Sequence, residues 1–154
     1  MTLRWDQHFL RLACECARMS KDPSTKVGAV IVGPDREIRA TGFNGFPRGI
    51  ADTPERLNDR ETKLGLVVHA EVNALLHAAR TGVSTKGCTM YVLAPPCMRC
   101  AVEIIQAGIG EVVAHPASAD LAERWGDSIK AARAVLDEAG IGYRDVAREA
   151  EAVG

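Results

Sequence analysis

The chain has 154 residues and a formal net charge of -1, with 47% apolar and 25% charged residues. That length suits one domain whose core needs no disulfide staples, and the near-neutral charge argues against a polyanion-binding surface. No apolar run reaches the roughly 18 residues of a membrane span, and Met1-Thr2-Leu3-Arg4-Trp5-Asp6 lacks the apolar stretch of a signal peptide, so neither membrane nor export is expected.

Cysteine usage points the same way. Five is an odd number, and free thiols without an export signal fit a reducing cytoplasm. Cys14 and Cys16 sit one residue apart in a helical pattern, so they face different ways. They and Cys88 read as small buried apolar residues.

In chain order, Trp5, Phe9, Leu12 and Cys16 recur at helical spacing, which predicts a helix over residues 6–19. Ser20 to Thr25 is punctuation. The β-branched run 27–32 is a buried strand, and a turn at 33–36 leads to an antiparallel return strand at 37–43. A loop follows at 44–49. Residues 51–63 are dense in charge and read as a solvated loop or short surface helix, with a flap over a site as the functional alternative. Helical patterns at 67–80, 97–107 and 120–139 alternate with strands at 87–93, 111–114 and 141–144. The tail beyond about 145 is expected to be frayed or weakly helical. This order implies one domain over 1–154. Its fold is a three-layer α/β/α sandwich with a mixed, mostly parallel five-stranded sheet whose first pair is a hairpin.

Two motifs carry chemistry: His69-Ala70-Glu71 and Pro96-Cys97-Met98-Arg99-Cys100. Zinc takes imidazole and thiolate ligands, and a catalytic site keeps three protein ligands and one open position. His69, Cys97 and Cys100 supply three. The pattern places them at helix starts, where unpaired N–H groups and the helix dipole favour thiolates. The spacing of Cys97 and Cys100 puts them on one face, and Pro95 and Pro96 fix the chain entering that turn. Glu71, two residues after His69, points away from the shared ligand direction and is placed to move protons to and from a water acidified by the metal. A thioredoxin-like redox pair and a closed structural zinc site, with Cys88 or His115 as fourth ligand, are the competing readings. A zinc-stabilised binding module without catalysis is the alternative from another class.

At these residues the chain resembles the cytidine and deoxycytidylate deaminase superfamily, whose signature is H-x-E followed by P-C-x-x-C. The likeness extends through Ser20-Lys21-Asp22-Pro23, the 27–32 strand, Phe43-Asn44-Gly45-Phe46-Pro47-Arg48-Gly49, Gly87 to Val92 and Ile104 to Ile109, covering about Trp5 to Val113. The Asn44 block is most similar to the deoxycytidylate (dCMP) branch. The resemblance implies one catalytic zinc held by His69, Cys97 and Cys100, with Glu71 as proton shuttle. It implies substrate contacts from Asn44, Ala70 and Pro96, and phosphate contacts from Lys21, Ser24 and Lys26, with Arg48 a weaker candidate. The implied reaction is dCMP + H2O to dUMP + NH3. Deamination of another free nucleoside or base, cytosine or guanine among them, is the alternative, and a base within nucleic acid is disfavoured. The resemblance further implies a homo-oligomer, dimer or hexamer, which in some members is controlled by dCTP and dTTP. The chain departs from the family after Val113, where Arg124, Trp125 and Asp127 stand as candidates for a base-facing wall, with Trp125 as plain core the alternative.

Overall fold

The computed structural model describes residues 2–150; the last residues of the tail, 151–154, lie outside them. Along the chain come α1 (Leu3–Ala17), β1 (Gly28–Val32), β2 (Ile38–Phe43), α2 (Pro54–Asn58), α3 (Arg60–Leu66) and α4 (Ala70–Thr81). There follow β3 (Thr89–Val92), α5 (Met98–Gln106), β4 (Glu111–Ala114), α6 (Ala119–Glu138) and β5 (Gly142–Asp145). The strands form one sheet in the order β2-β1-β3-β4-β5. β1 is antiparallel to both β2 and β3, while β3, β4 and β5 are mutually parallel. Four strands therefore run one way and β1 alone runs against them. That is the expected mixed, mostly parallel sheet, with β1 inserted between its hairpin partner and β3.

Side chains alternate across the sheet and sort its residues into two cores. Ala29, Ile31, Met90, Val92, Val112 and Ala114 face α4, α5 and α6. Val30, Val32, Tyr91, Leu93 and Val113 face α1. This is the three-layer sandwich read from the pattern. Two glycines allow the closest approaches. A Cβ on Gly28 would stand 1.9 Å from the Ala13 carbonyl oxygen of α1, and one on Gly42 would stand 2.4 Å from the Ala74 nitrogen of α4. Hydrogen at both positions lets one helix settle on each face of the same hairpin.

The charge-dense insert folds as two short helices. Thr53 caps α2 by accepting from the Arg56 amide, with Pro54 at the first helical position; Asp59 caps α3 by accepting from the Thr62 amide. After β5, residues 146–150 have no regular secondary structure. Val146 is nevertheless buried and its amide donates to the Ala114 carbonyl at 2.8 Å, while Glu149 pairs with Arg11 of α1 at 2.7 Å. Among the described residues no helix is long and apolar enough to cross a membrane.

Candidate active site

The site forms at the edge of the sheet where β3 ends and β1 begins, since Ala29 pairs with Val92 there. Two helices start at this edge. His69 is the N-cap of α4 and Cys97 the N-cap of α5, both with extended backbone (φ -67°, ψ 155° and φ -75°, ψ 170°). His69 therefore stands just outside its helix, whereas the sequence pattern placed it within the first turn. The His69 ring makes no cap bond to its own helix, and the Cys97 thiol is engaged with Cys100 in the first turn of α5. They turn toward each other. His69 Nδ1 lies 3.3 Å from Cys100 Sγ and 3.6 Å from Cys97 Sγ. Cys97 as N-cap and Cys100 three residues later converge as a capping pair does.

These three donors lie within 4.8 Å of one another, and among the described residues no fourth histidine or cysteine joins them. Cys88 and His115, the sequence candidates for a fourth ligand, are elsewhere. The spacing fits zinc. Bond lengths of about 2.3 Å to sulfur and 2.1 Å to nitrogen at a tetrahedral angle separate nitrogen from sulfur by about 3.6 Å. The two thiols share one hydrogen bond, which pushes Cys97 well below the usual thiol range, helped by His69, and pushes Cys100 well above it. The His69 ring is held above its ordinary value, chiefly by its hydrogen bond with Cys97.

Glu71 lies in the first turn of α4 and is 5% exposed. Its Oε2 receives the Cys100 thiol at 3.7 Å, and among the described residues no lysine or arginine pairs with it. Burial raises its pKa above the usual carboxylate range. A carboxyl so placed can both take and return a proton.

A cleft of about 170 Å³ opens over this cluster. Of the residues singled out in the sequence, His69, Ala70, Glu71, Cys97 and Asn44 line it, and Cys100 is buried behind them. Pro95 lines the cleft and Pro96 does not. Asn44 is buried with its amide partly committed: Oδ1 accepts from the Val27 amide and Nδ2 donates to the Thr25 carbonyl, both at 2.8 Å. One lone pair and one N–H remain for a ligand. Lys21, Ser24 and Lys26 are exposed and outside the lining, with Lys21 paired to Asp52 at 3.2 Å; Arg48 is also outside.

A lysine that does line the cleft is Lys63, from α3, paired with Asp22 at 3.4 Å. Sequence reasoning missed it, together with Asp22 and Thr25. One signal existed: Lys63 and Val67 stand four apart and lead directly into His69, so one face of the insert enters the site. Arg124 and Trp125 line the cleft from α6.

Comparison with known proteins matches residues 3–116 to the cytidine and deoxycytidylate deaminase zinc-binding region. The chain belongs to that family. Human deoxycytidylate deaminase is 40% identical over 149 residues, covering 92% of this chain and 79% of its own length. A deaminase from the luxG 3′ region of Aliivibrio fischeri is 39% identical over 141 residues, covering 92% of both chains. The dCMP deaminase of cyanophage S-TIM5, solved with dCMP and dUMP, superposes with a TM-score of 0.76 at 25% identity over 95% of this chain and 99% of its own. The family region contains the whole His/Cys/Cys cluster and Glu71. It ends before α6, so the cleft wall built by Leu121, Arg124, Trp125 and Ile129 lies outside it.

Proposed function

We propose that this chain is a zinc-dependent hydrolytic deaminase that converts dCMP and water to dUMP and ammonia. The observation that carries the reading is the buried Glu71, with no lysine or arginine on it among the described residues, beside three donors spaced for zinc at a cleft. Support for the substrate comes from the human relative and from the cyanophage enzyme bound to dCMP and dUMP.

Each residue then has a role. His69, Cys97 and Cys100 hold the zinc, which when bound supplies a water acidic enough to attack at neutral pH. Glu71 takes a proton from that water as its oxygen bonds to the ring carbon bearing the amine. The same carboxyl passes that proton to the ring nitrogen, then takes the second proton from the new hydroxyl and gives it to the amine, which leaves as ammonia as its bond to carbon breaks and the carbonyl forms. Asn44 uses its remaining lone pair and N–H to orient the sugar or base edge. The Ala70 backbone and the Pro95-Pro96 turn shape the base pocket.

The test is ammonia release by zinc-loaded protein from dCMP, dCTP, deoxycytidine, cytosine and guanine. Turnover is expected to be fastest with dCMP. Absence of dCMP turnover alongside efficient turnover of another compound overturns the substrate assignment. The reading also includes a single domain, a cytoplasmic site of action and a homo-oligomer responsive to dCTP and dTTP. Sedimentation with and without these nucleotides tests the last.

A further inference from the structure

The wall that lies outside the family region has a clear design. α6 carries one continuous stripe at helical spacing: Leu121, Trp125, Ser128, Ile129, Ala132, Val135 and Leu136. Its second half is core, where Ala132 and Leu136 are buried against the sheet and Val135 packs beside them. Its first half runs past that core and turns the same stripe onto the cleft. Leu121, Trp125 and Ile129 line the cleft, and Ser128 Oγ accepts from the Met98 amide at 2.9 Å, fixing α6 to the helix start that carries the two cysteines. Trp125 belongs to neither core cluster.

Two cations reach the same cleft from different elements. Arg124 of α6 is held by Asp120 at 2.7 Å, one turn back on an exposed helix face. Lys63 of α3 is held by Asp22 at the long distance of 3.4 Å. Asp22 does not depend on it, because the same oxygen caps its own loop through the Ser24 and Thr25 amides at 2.8 and 3.1 Å. Both cations thus line the cleft already paired with a carboxylate, for which the more highly charged phosphate can substitute.

We propose that the first half of α6 is the substrate-reading wall of this chain: Trp125 covers the bound base, and Arg124 with Lys63 takes the phosphate of the nucleotide. This rests on the nucleotide reading above and names the residues that select for it. Lys21 and Lys26, on the loop before β1, lie outside the cleft lining, although Asp22 and Thr25 of that loop belong to it.

The experiment has a kinetic and a binding arm, both on zinc-loaded protein. Arg124→Gln and Lys63→Met are each expected to raise KM for dCMP at least about tenfold. The change should be far smaller for deoxycytidine, which has no phosphate, and Lys21→Met should leave the dCMP KM where it was. Trp125→Leu should lower kcat/KM for both substrates at unchanged zinc content. For binding, Trp5→Phe leaves Trp125 as the sole tryptophan. Its fluorescence should respond to dUMP, and Arg124→Gln should shift that titration to higher concentration. Equal losses on dCMP and deoxycytidine, or no loss, overturn the assignment of Arg124 and Lys63. An enzyme that deaminates dCMP while Trp125 fluorescence ignores dUMP refutes the wall alone. If the parent protein does not turn over dCMP yet dUMP still shifts Trp125, the catalytic reading fails and the wall stands.

Discussion

The two faces of the sheet each bury a carboxylate, and they treat it in opposite ways. On the α1 face, Asp6 is 1% exposed and saturated. Its oxygens accept from the Tyr91 hydroxyl at 3.0 Å and from both terminal nitrogens of Arg144 at 2.7 and 3.0 Å. Arg144 also donates to Glu111 at 2.5 Å, and its pKa rises chiefly through Asp6. On the other face, Glu71 is 5% exposed and is met by a thiol instead of a guanidinium. Burial is nearly equal, so burial does not separate structure from function here. Pairing does. A carboxylate locked to a guanidinium ties α1 to β3 and β5, whereas Glu71, which carries no guanidinium or ammonium partner among the described residues, keeps lone pairs available for a reacting water.

The contrast is broken most directly at the two carboxylates. Glu71→Gln should lower kcat on dCMP by about a hundred- to ten-thousand-fold while zinc content stays at one per chain, measured by metal analysis beside turnover. Asp6→Ala should do the reverse. It removes the Asp6 acceptor from the Tyr91 hydroxyl and half of the Arg144 pairing, and should cost about 2–4 kcal/mol in denaturant melts, the lower end reflecting water at the partly exposed Arg144. Activity per folded molecule should remain. A comparable loss of activity per folded molecule in Asp6→Ala would erase the distinction between the faces.

The glycine pair sharpens it further. Gly28→Ala and Gly42→Ala each force a helix off the hairpin and should cost about 2–3 kcal/mol. Only Gly42→Ala displaces α4, which carries Glu71 and is capped by His69, so only it should also lower kcat. Equal kcat in the two variants would mean that α4 tolerates the shift. Ser128→Ala should have a smaller effect: about 1 kcal/mol for the lost cap of α5, with weaker zinc retention in a chelator competition. The mildest change is at His115, which is buried with its ring nitrogen 2.7 Å from the Val146 carbonyl. Burial lowers its pKa from the ordinary 6.5, so the unfolded chain takes the proton first. Its contribution is present above that value and is lost as pH falls through the lower folded pKa. His115→Asn should therefore flatten the acid side of a melting-temperature profile; an unchanged slope would assign that slope to other groups.

Much of the fold was legible because periodicity is local. β4 at Glu111–Ala114 and α6 at Ala119–Glu138 follow directly from the pattern of apolar residues. Helix starts were less legible. His69 and Cys97 look like first-turn residues in sequence, yet both adopt extended dihedrals as caps, a choice made by their convergence on each other across two elements. The cluster itself was readable because its spacing is chemical. The mouth of the cleft was not. A run such as Glu55 to Lys63 shows nothing of which charge will be turned inward, and the fold selected Lys63 over Lys21 and Lys26 by docking α3 beside the Asp22 loop. Trp125 fitted the same helical stripe whether core or wall; only the length by which α6 overruns the sheet decides between them.

The lone reversed strand has a kinetic consequence. Because β1 pairs with β3 as well as with β2, bringing Ala29 opposite Val92 must close a loop of about 60 residues. The hairpin can form from local contacts, whereas β1 and β3 come together only through that long closure, with α4 in the intervening segment. Pairing of β1 with β3 is therefore expected to set the pace of folding, while the zinc ligands, all within residues 69–100, belong to the segment that this pairing fastens to the hairpin.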